Sequence, residues 1–138
     1  MGERARAGPR GSATVEMMIW LPVLMIMLFG VAELSRLWLA VAEVTAAARE
    51  GARTGTQTPT TTGNVFDSGP ALAAIDTILA AANLSAGASR TVVCVPAACV
   101  PGSNVQATVT VTFTTAAPTL LPGLSSLTIQ EVAQMRYE

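Results

Sequence analysis

The sequence predicts an α+β protein: a long N-terminal transmembrane and amphipathic helix packed on a small antiparallel sheet domain. Three observations predict it. A membrane-grade apolar run passes, without a break in helix-forming residues, into an amphipathic stretch ending near Arg53. A shorter segment, Ala71 to Asn83, carries Leu72, Ile75, Leu79 and Ala82 at helical spacing. Finally, Val105 to Phe113 alternates strictly between apolar and polar residues, as a half-buried strand does.

Composition narrows the class. Of 138 residues, 51% are hydrophobic and only 12% charged, which is too apolar for an ordinary soluble domain and suits a membrane-attached one. The formal net charge is −1, with no Lys and eight scattered Arg, so no nucleic-acid partner is expected. The absence of His removes the commonest general base and metal ligand. No nucleophile–base pair, metal set or phosphate-binding glycine loop is present, so neither an enzyme nor a cofactor is expected.

Residues 1–11 are basic, with Arg4, Arg6 and Arg10 against Glu3, and are broken by Gly and Pro; they read as a leader. The helix is expected over 12–54. Ser12 or Thr14 could cap it, and Met17 to Ala32 is free of charge. Trp20 and Trp38 bracket the run, and eighteen residues of helix span about 27 Å, close to the hydrocarbon thickness. Indoles favour the two interfaces of a bilayer, which places Glu33 and Arg36 near its outer boundary; the alternative for either Trp is bulky packing. Pro22 bends such a helix without excluding it from lipid.

Beyond Glu33, the residues Leu34, Leu37, Val41, Val44 and Ala48 form an apolar stripe, while Glu33, Arg36, Glu43 and Glu50 occupy a neighbouring face. Gly51 and Gly55 flank the expected end. An unbroken helix to Arg53 is about 63 Å long, more than a bilayer needs, so its outer half protrudes.

Residues 55–70 form a Thr/Gly/Pro-rich linker, in which Asp67 and Ser68 offer caps ahead of Pro70. Residues 71–138 form the small α+β domain. Thr91 to Val95 is strand-like, Pro96 to Ala98 a loop tip, and Pro118 to Ser126 a loop before a final strand over Leu127 to Tyr137. The valine face of Val105 to Phe113 requires a covering layer, and the outer half of the long helix is the obvious one. Cys94 and Cys99 are too few for a metal cage and lack thiol-oxidoreductase spacing. A bond between them clips a small loop for about 2 kcal/mol; a redox-active pair is the alternative.

Glu16 is the chemically odd residue. A carboxylate at the edge of an apolar helix is costly, and no Arg lies within the run to pair with it. Cleavage after Gly11 would give Ser12 a free α-amine four residues away, on the same helix face, able to meet Glu16 of the same chain or of a neighbour. The basic flank places the N-terminus in the cytoplasm and the remainder outside, where a cysteine pair oxidises.

Gly11-Ser12-Ala13-Thr14-Val15-Glu16 resembles the processing site of type IV pilin-like precursors. With Pro22, Glu33, Arg36 and the run from Ala47 to Arg53, it resembles the TadE-like family of pseudopilins and minor pilins of the tight-adherence (Tad/Flp) system. The closing residues Gln134 to Glu138 also resemble that family's ends. The resemblance implies cleavage by a prepilin peptidase after Gly11 and a processing or assembly role for Glu16. It further implies other pilins and the Tad assembly machinery as partners, in the bacterial inner membrane or a surface pilus. Unlike the short major pilins of that system, this chain carries some eighty further residues, which favours a minor or accessory component. Two readings compete. One is a signal peptide cut after Ala42, which Glu33 and Arg36 disfavour. The other is an uncleaved signal-anchored protein with a small extracytoplasmic binding domain.

Overall fold

The computed structural model describes residues 12–58, 66–96, 99–116 and 125–137. Its elements are α1 (Ser12–Gln57), α2 (Gly69–Ala81), β1 (Ser89–Val95), β2 (Asn104–Thr114) and β3 (Ser126–Arg136). The fold is the expected α+β arrangement, with a meander of order β1-β2-β3 in which both pairs are antiparallel. The chain separates into two compact units, residues 1–35 and 36–138.

In the first unit α1 presents its apolar side chains outward. From Met17 to Phe29 every large hydrophobic residue is exposed, with Pro22 inside the helix. This is the helix whose length and hydropathy suffice to cross a membrane, and none of its most apolar window is buried against protein. A surface so apolar and so exposed is the signature of contact with lipid or with other helices.

The second unit has its own core. Ala40, Val44, Ala47, Ala48 and Ala52 of α1 are buried together with Ala71, Ile75 and Leu79 of α2 and with Val105, Ala107, Val109, Val111 and Phe113 of β2. The valine face of β2 is therefore the inner one, as its alternation requires, while Thr112 and Thr114 stay exposed. Register carries the inner face sideways: Val92 and Ala133 flank Ala107, and Cys94 and Met135 flank Val105.

Three expectations about α1 need correction. The helix continues to Gln57, so neither Gly51 nor Gly55 ends it. Both glycines sit where another element comes close. A Cβ on Gly51 would stand 2.5 Å from Ile75 Cδ1, and one on Gly55 would stand 2.7 Å from Val105 Cγ1. Each costs the helix about 1 kcal/mol in propensity, and close packing opposes that loss. Leu34 is 64% exposed and so is no part of the buried stripe, which runs through Ala40, Val44 and Ala47 instead. Glu33, by contrast, is buried.

Elsewhere local chemistry explains the boundaries. The Asp67 side chain accepts from the Gly69 N–H at 2.9 Å just ahead of Pro70, whereas Ser68 at the N-cap makes no side-chain cap bond. The end of α2 is a Schellman motif. Asn83 adopts φ 56°, its N–H donates to the Ala80 carbonyl, and the Leu84 N–H donates to Leu79 at 2.8 Å. Asn tolerates the left-handed conformation better than most residues. Val100 to Ser103 forms a turn closed by Ser103 N–H on the Val100 carbonyl, with Gly102 at φ 98°, the type II pattern for Pro-Gly. Gly102 N–H and the Ser103 carbonyl then bond to the two sides of Tyr137, tying this turn to the end of β3. Part of the expected 55–70 linker and most of the Pro118 to Ser126 loop lie outside the described residues; Ser126 itself opens β3.

Candidate functional site

The residues that drew attention in the sequence fall into two places. Gly11 lies outside the described residues, and Ser12 opens α1. Glu16 follows in the second turn, so positions 12 and 16 share a helix face. Glu16 is exposed, and among the described residues no hydrogen bond or ion pair reaches it. Around it Val15, Met17, Met18 and Ile19 are each more than half exposed. Among the described residues, the local geometry is thus a single carboxylate on an apolar rod. Such a group can be recognised or paired by a cation.

The second place is in the second unit. Cys94 on β1 is bonded to Cys99, with Cα atoms 5.5 Å apart. Both are buried, and Cys94 lies opposite Val105 on the inner face of the sheet. The bond closes a five-residue separation at the end of β1, where the chain leaves for the Pro-Gly turn. A buried cross-link at the rim of a core fits a structural clip. The loop tip at 97–98 lies outside the described residues. Among the described residues no group of three His, Cys, Asp or Glu is placed to hold a metal ion.

Ion pairs tie some of the charged side chains elsewhere. Arg53 holds Glu50 through two bonds of 2.9 and 2.7 Å, one turn apart on α1. The donated hydrogen bonds lower the Glu50 carboxyl from its ordinary value and raise Arg53. Arg90 Nε stands 2.6 Å from Asp76 Oδ1, joining β1 to α2.

Sequence reasoning missed three features. The two packing glycines of α1 read as helix stops because their partners, Ile75 and Val105, lie at least twenty residues away. The Arg36 guanidinium lies over the Phe113 ring, 5.5 Å from its centroid. The same residues help to line a cavity of about 530 Å³. The seven-residue interval from Arg36 to Glu43 was a faint signal for this, because it returns to the same helix face after two turns.

Comparison with known proteins adds one finding. Residues 11–53 match the family model described as TadE-like protein. No match was found among curated proteins or among solved structures. The matched segment begins at Gly11, takes in Glu16 and the apolar run, and ends within the buried stripe of α1 beside Gly51 and Ala52. Over residues 11–53, then, the chain is similar to TadE-like proteins.

Proposed function

We propose that this protein is a pseudopilin or minor pilin that acts in assembly, initiation or adhesion of a Tad/Flp-type pilus. In this reading a prepilin peptidase cuts after Gly11 in the cytoplasm. The α-amine of Ser12 is then released one turn from Glu16, and the pair sets register between neighbouring helices. The observation that carries the reading is the TadE-like match beginning at Gly11, with Glu16 bare on an exposed apolar helix. An isolated carboxylate in lipid is costly, and an amine at i−4 or on an adjacent chain offsets that cost while fixing one register among many. The apolar rod then has two successive surroundings of the same polarity: inner-membrane lipid, and other pilin helices. The second unit, with its own core and a Cys94–Cys99 bond, stands outside the membrane, the side where a disulfide persists.

The experiment is intact mass and N-terminal sequencing of the protein extracted from membranes. A mature chain beginning at Ser12 is expected. A chain retaining residues 1–11 would refute processing and leave the uncleaved anchored binding domain, which the self-contained core of the second unit favours. A chain beginning at Glu43 would refute both.

A further inference from the structure

The two edges of the sheet are unlike. β1 is short, with 7 residues, and Pro96 follows it directly. Both features blunt an edge against pairing. β3 runs 11 residues with no Pro, Gly or Lys. Its register against β2 is unbroken from Ser126 to Arg136, so no bulge turns it aside. Among the described residues, no strand pairs with its second side.

Two hydrogen bonds fix which backbone groups face that second side. Just beyond the ends of the β2–β3 ladder, the Thr115 N–H donates to the Ser125 carbonyl and the Tyr137 N–H to the Ser103 carbonyl. In an antiparallel pair, hydrogen-bonded positions recur at every second residue. The odd-numbered residues of β3 therefore turn their N–H and C=O toward β2. Ser126, Thr128, Gln130, Val132, Gln134 and Arg136 turn theirs to the free edge, and all of them are exposed. These outward groups repeat about every 7 Å, the period of an adjoining strand.

A groove of about 290 Å³ follows this edge, with α1 as one wall and residues 131–135 of β3 as the other. Its lining mixes the edge-facing Val132 and Gln134 with the inward Glu131, Ala133 and Met135, so it opens along the edge itself. Arg49 lines it from the helix and Glu131 from the strand. Among the described residues neither has an ion-pair partner. The whole groove lies within the second unit.

We propose that β3 takes a fourth strand from a partner protein, an extended, uncharged segment rich in Thr, Val and Asn or Gln. Alternating N–H and C=O groups along an edge are matched by the backbone of another strand. The charges in the groove set the side chains. A charged residue entering it is attracted to one of Arg49 and Glu131 and repelled by the other. A neutral amide suits both, since its carbonyl accepts from the guanidinium while its NH2 donates to the carboxylate. Inward positions on either side of that amide meet Ala48, Ala133 and Met135, which suit a side chain the size of valine. On the opposite face the neighbours are Thr128, Gln130 and Val132, again without charge. The β3 of a second copy carries Glu131 on its inward side, so it fits less well than a neutral strand. The proposal stands on the second unit alone and is independent of cleavage at Gly11.

The test titrates the full chain in detergent micelles with the capped peptide Thr-Val-Thr-Asn-Thr-Val-Thr, and with versions carrying Asp or Lys in place of Asn. Binding is read by NMR, from shifts of the β3 amides and from cross-strand contacts between peptide and edge. The Asn peptide is expected to bind, and Asp or Lys to weaken it about tenfold. In Arg49→Gln/Glu131→Gln that preference should vanish. N-methylation of alternate peptide amides gives two further probes, and only the set facing β3 should lose binding, by about tenfold or more. Val132→Pro removes an outward N–H and no bond to β2, so it should weaken the Asn peptide similarly. Exchange protection of β2 amides checks that each variant is folded, and the methylated peptides need no variant. Absence of binding by the Asn peptide, equal behaviour of the two methylated sets, or equal binding of the three central residues overturns the proposal. Dimerisation of the full chain that Val132→Pro abolishes would make a second copy the occupant and overturn the partner strand.

Discussion

Gly51→Ala tests the packing of α1 within the second unit. In a free helix the change would stabilise by about 1 kcal/mol, because alanine restricts the unfolded backbone and suits the helix. Here the new Cβ would stand 2.5 Å from Cδ1 and 2.6 Å from Cγ1 of Ile75, and 3.5 Å from the Ala107 Cβ. Comfortable carbon contacts lie at about 3.5–4.0 Å, so the overlap with Ile75 is about 1 Å. Ile75 is fully buried and cannot swing into solvent. Overpacking of this kind costs about 1–3 kcal/mol, which leaves a net destabilisation of about 0–2 kcal/mol once the propensity gain is subtracted. The sign is best read in a cycle with Ile75→Ala, which removes both clashing atoms. In that background Gly51→Ala should become neutral or stabilising, giving a coupling of about 1–3 kcal/mol. The assay is hydrogen exchange of the β2 amides in the full chain in detergent, which reports the opening free energy without requiring complete unfolding. A Gly51→Ala effect of the same sign and size in both backgrounds would refute the close approach of α1 and α2.

Other outcomes follow from the same structure. Glu16→Ala should leave membrane insertion intact and reduce pilus output; normal piliation would sink the register argument, and carbonate extraction checks insertion. Replacing both cysteines by serine should lower the stability of the second unit by about 2 kcal/mol, as for a short loop, measured by urea titration with and without reductant. Cys94 freely labelled in intact cells would contradict the clip. Glu50 should titrate below the ordinary range of exposed carboxylates in NMR pH titrations, and Arg53→Gln should return it upward. A depressed folded-state value means that the Glu50–Arg53 pair adds stability above the unfolded carboxyl's pKa. That contribution fades as pH falls through the lowered value. The two side chains are 54% and 36% exposed, so the effect should shrink in high salt.

Much of the fold was legible because it is written in local periodicity. The alternation of Val105 to Phe113 is a local pattern, and it appears as the inner and outer faces of β2. Leu72, Ile75 and Leu79 at helical spacing locate α2 to within two residues of Gly69–Ala81. Pairs that share a helix face, such as Ser12 and Glu16, need only the helix repeat. Misreadings occurred where a residue's meaning depends on something distant in the chain. Leu34 matches the apolar stripe by spacing yet is exposed, because periodicity says which residues share a face and not how far the covering layer extends.

By itself, then, the sequence determined the class of each segment: a membrane-grade helix, an amphipathic continuation, a short helix and a one-sided strand. It also singled out Glu16 as a costly charge at the edge of the apolar run, and Gly11 and Ser12 through their resemblance to a processing site. The segment classes follow from composition and spacing, which act through neighbours along the chain. Tertiary structure alone decided what Gly51 and Gly55 are for, since in one dimension a glycine in a helix reads as a weak point or an end. In three dimensions their missing side chains make the room that Ile75 and Val105 occupy. It also decided that Arg36, Glu43 and Phe113 border one cavity, although Glu43 and Phe113 are seventy residues apart in the chain. Such juxtapositions arise when nonlocal burial of apolar surface brings elements together, and no period in the sequence encodes them.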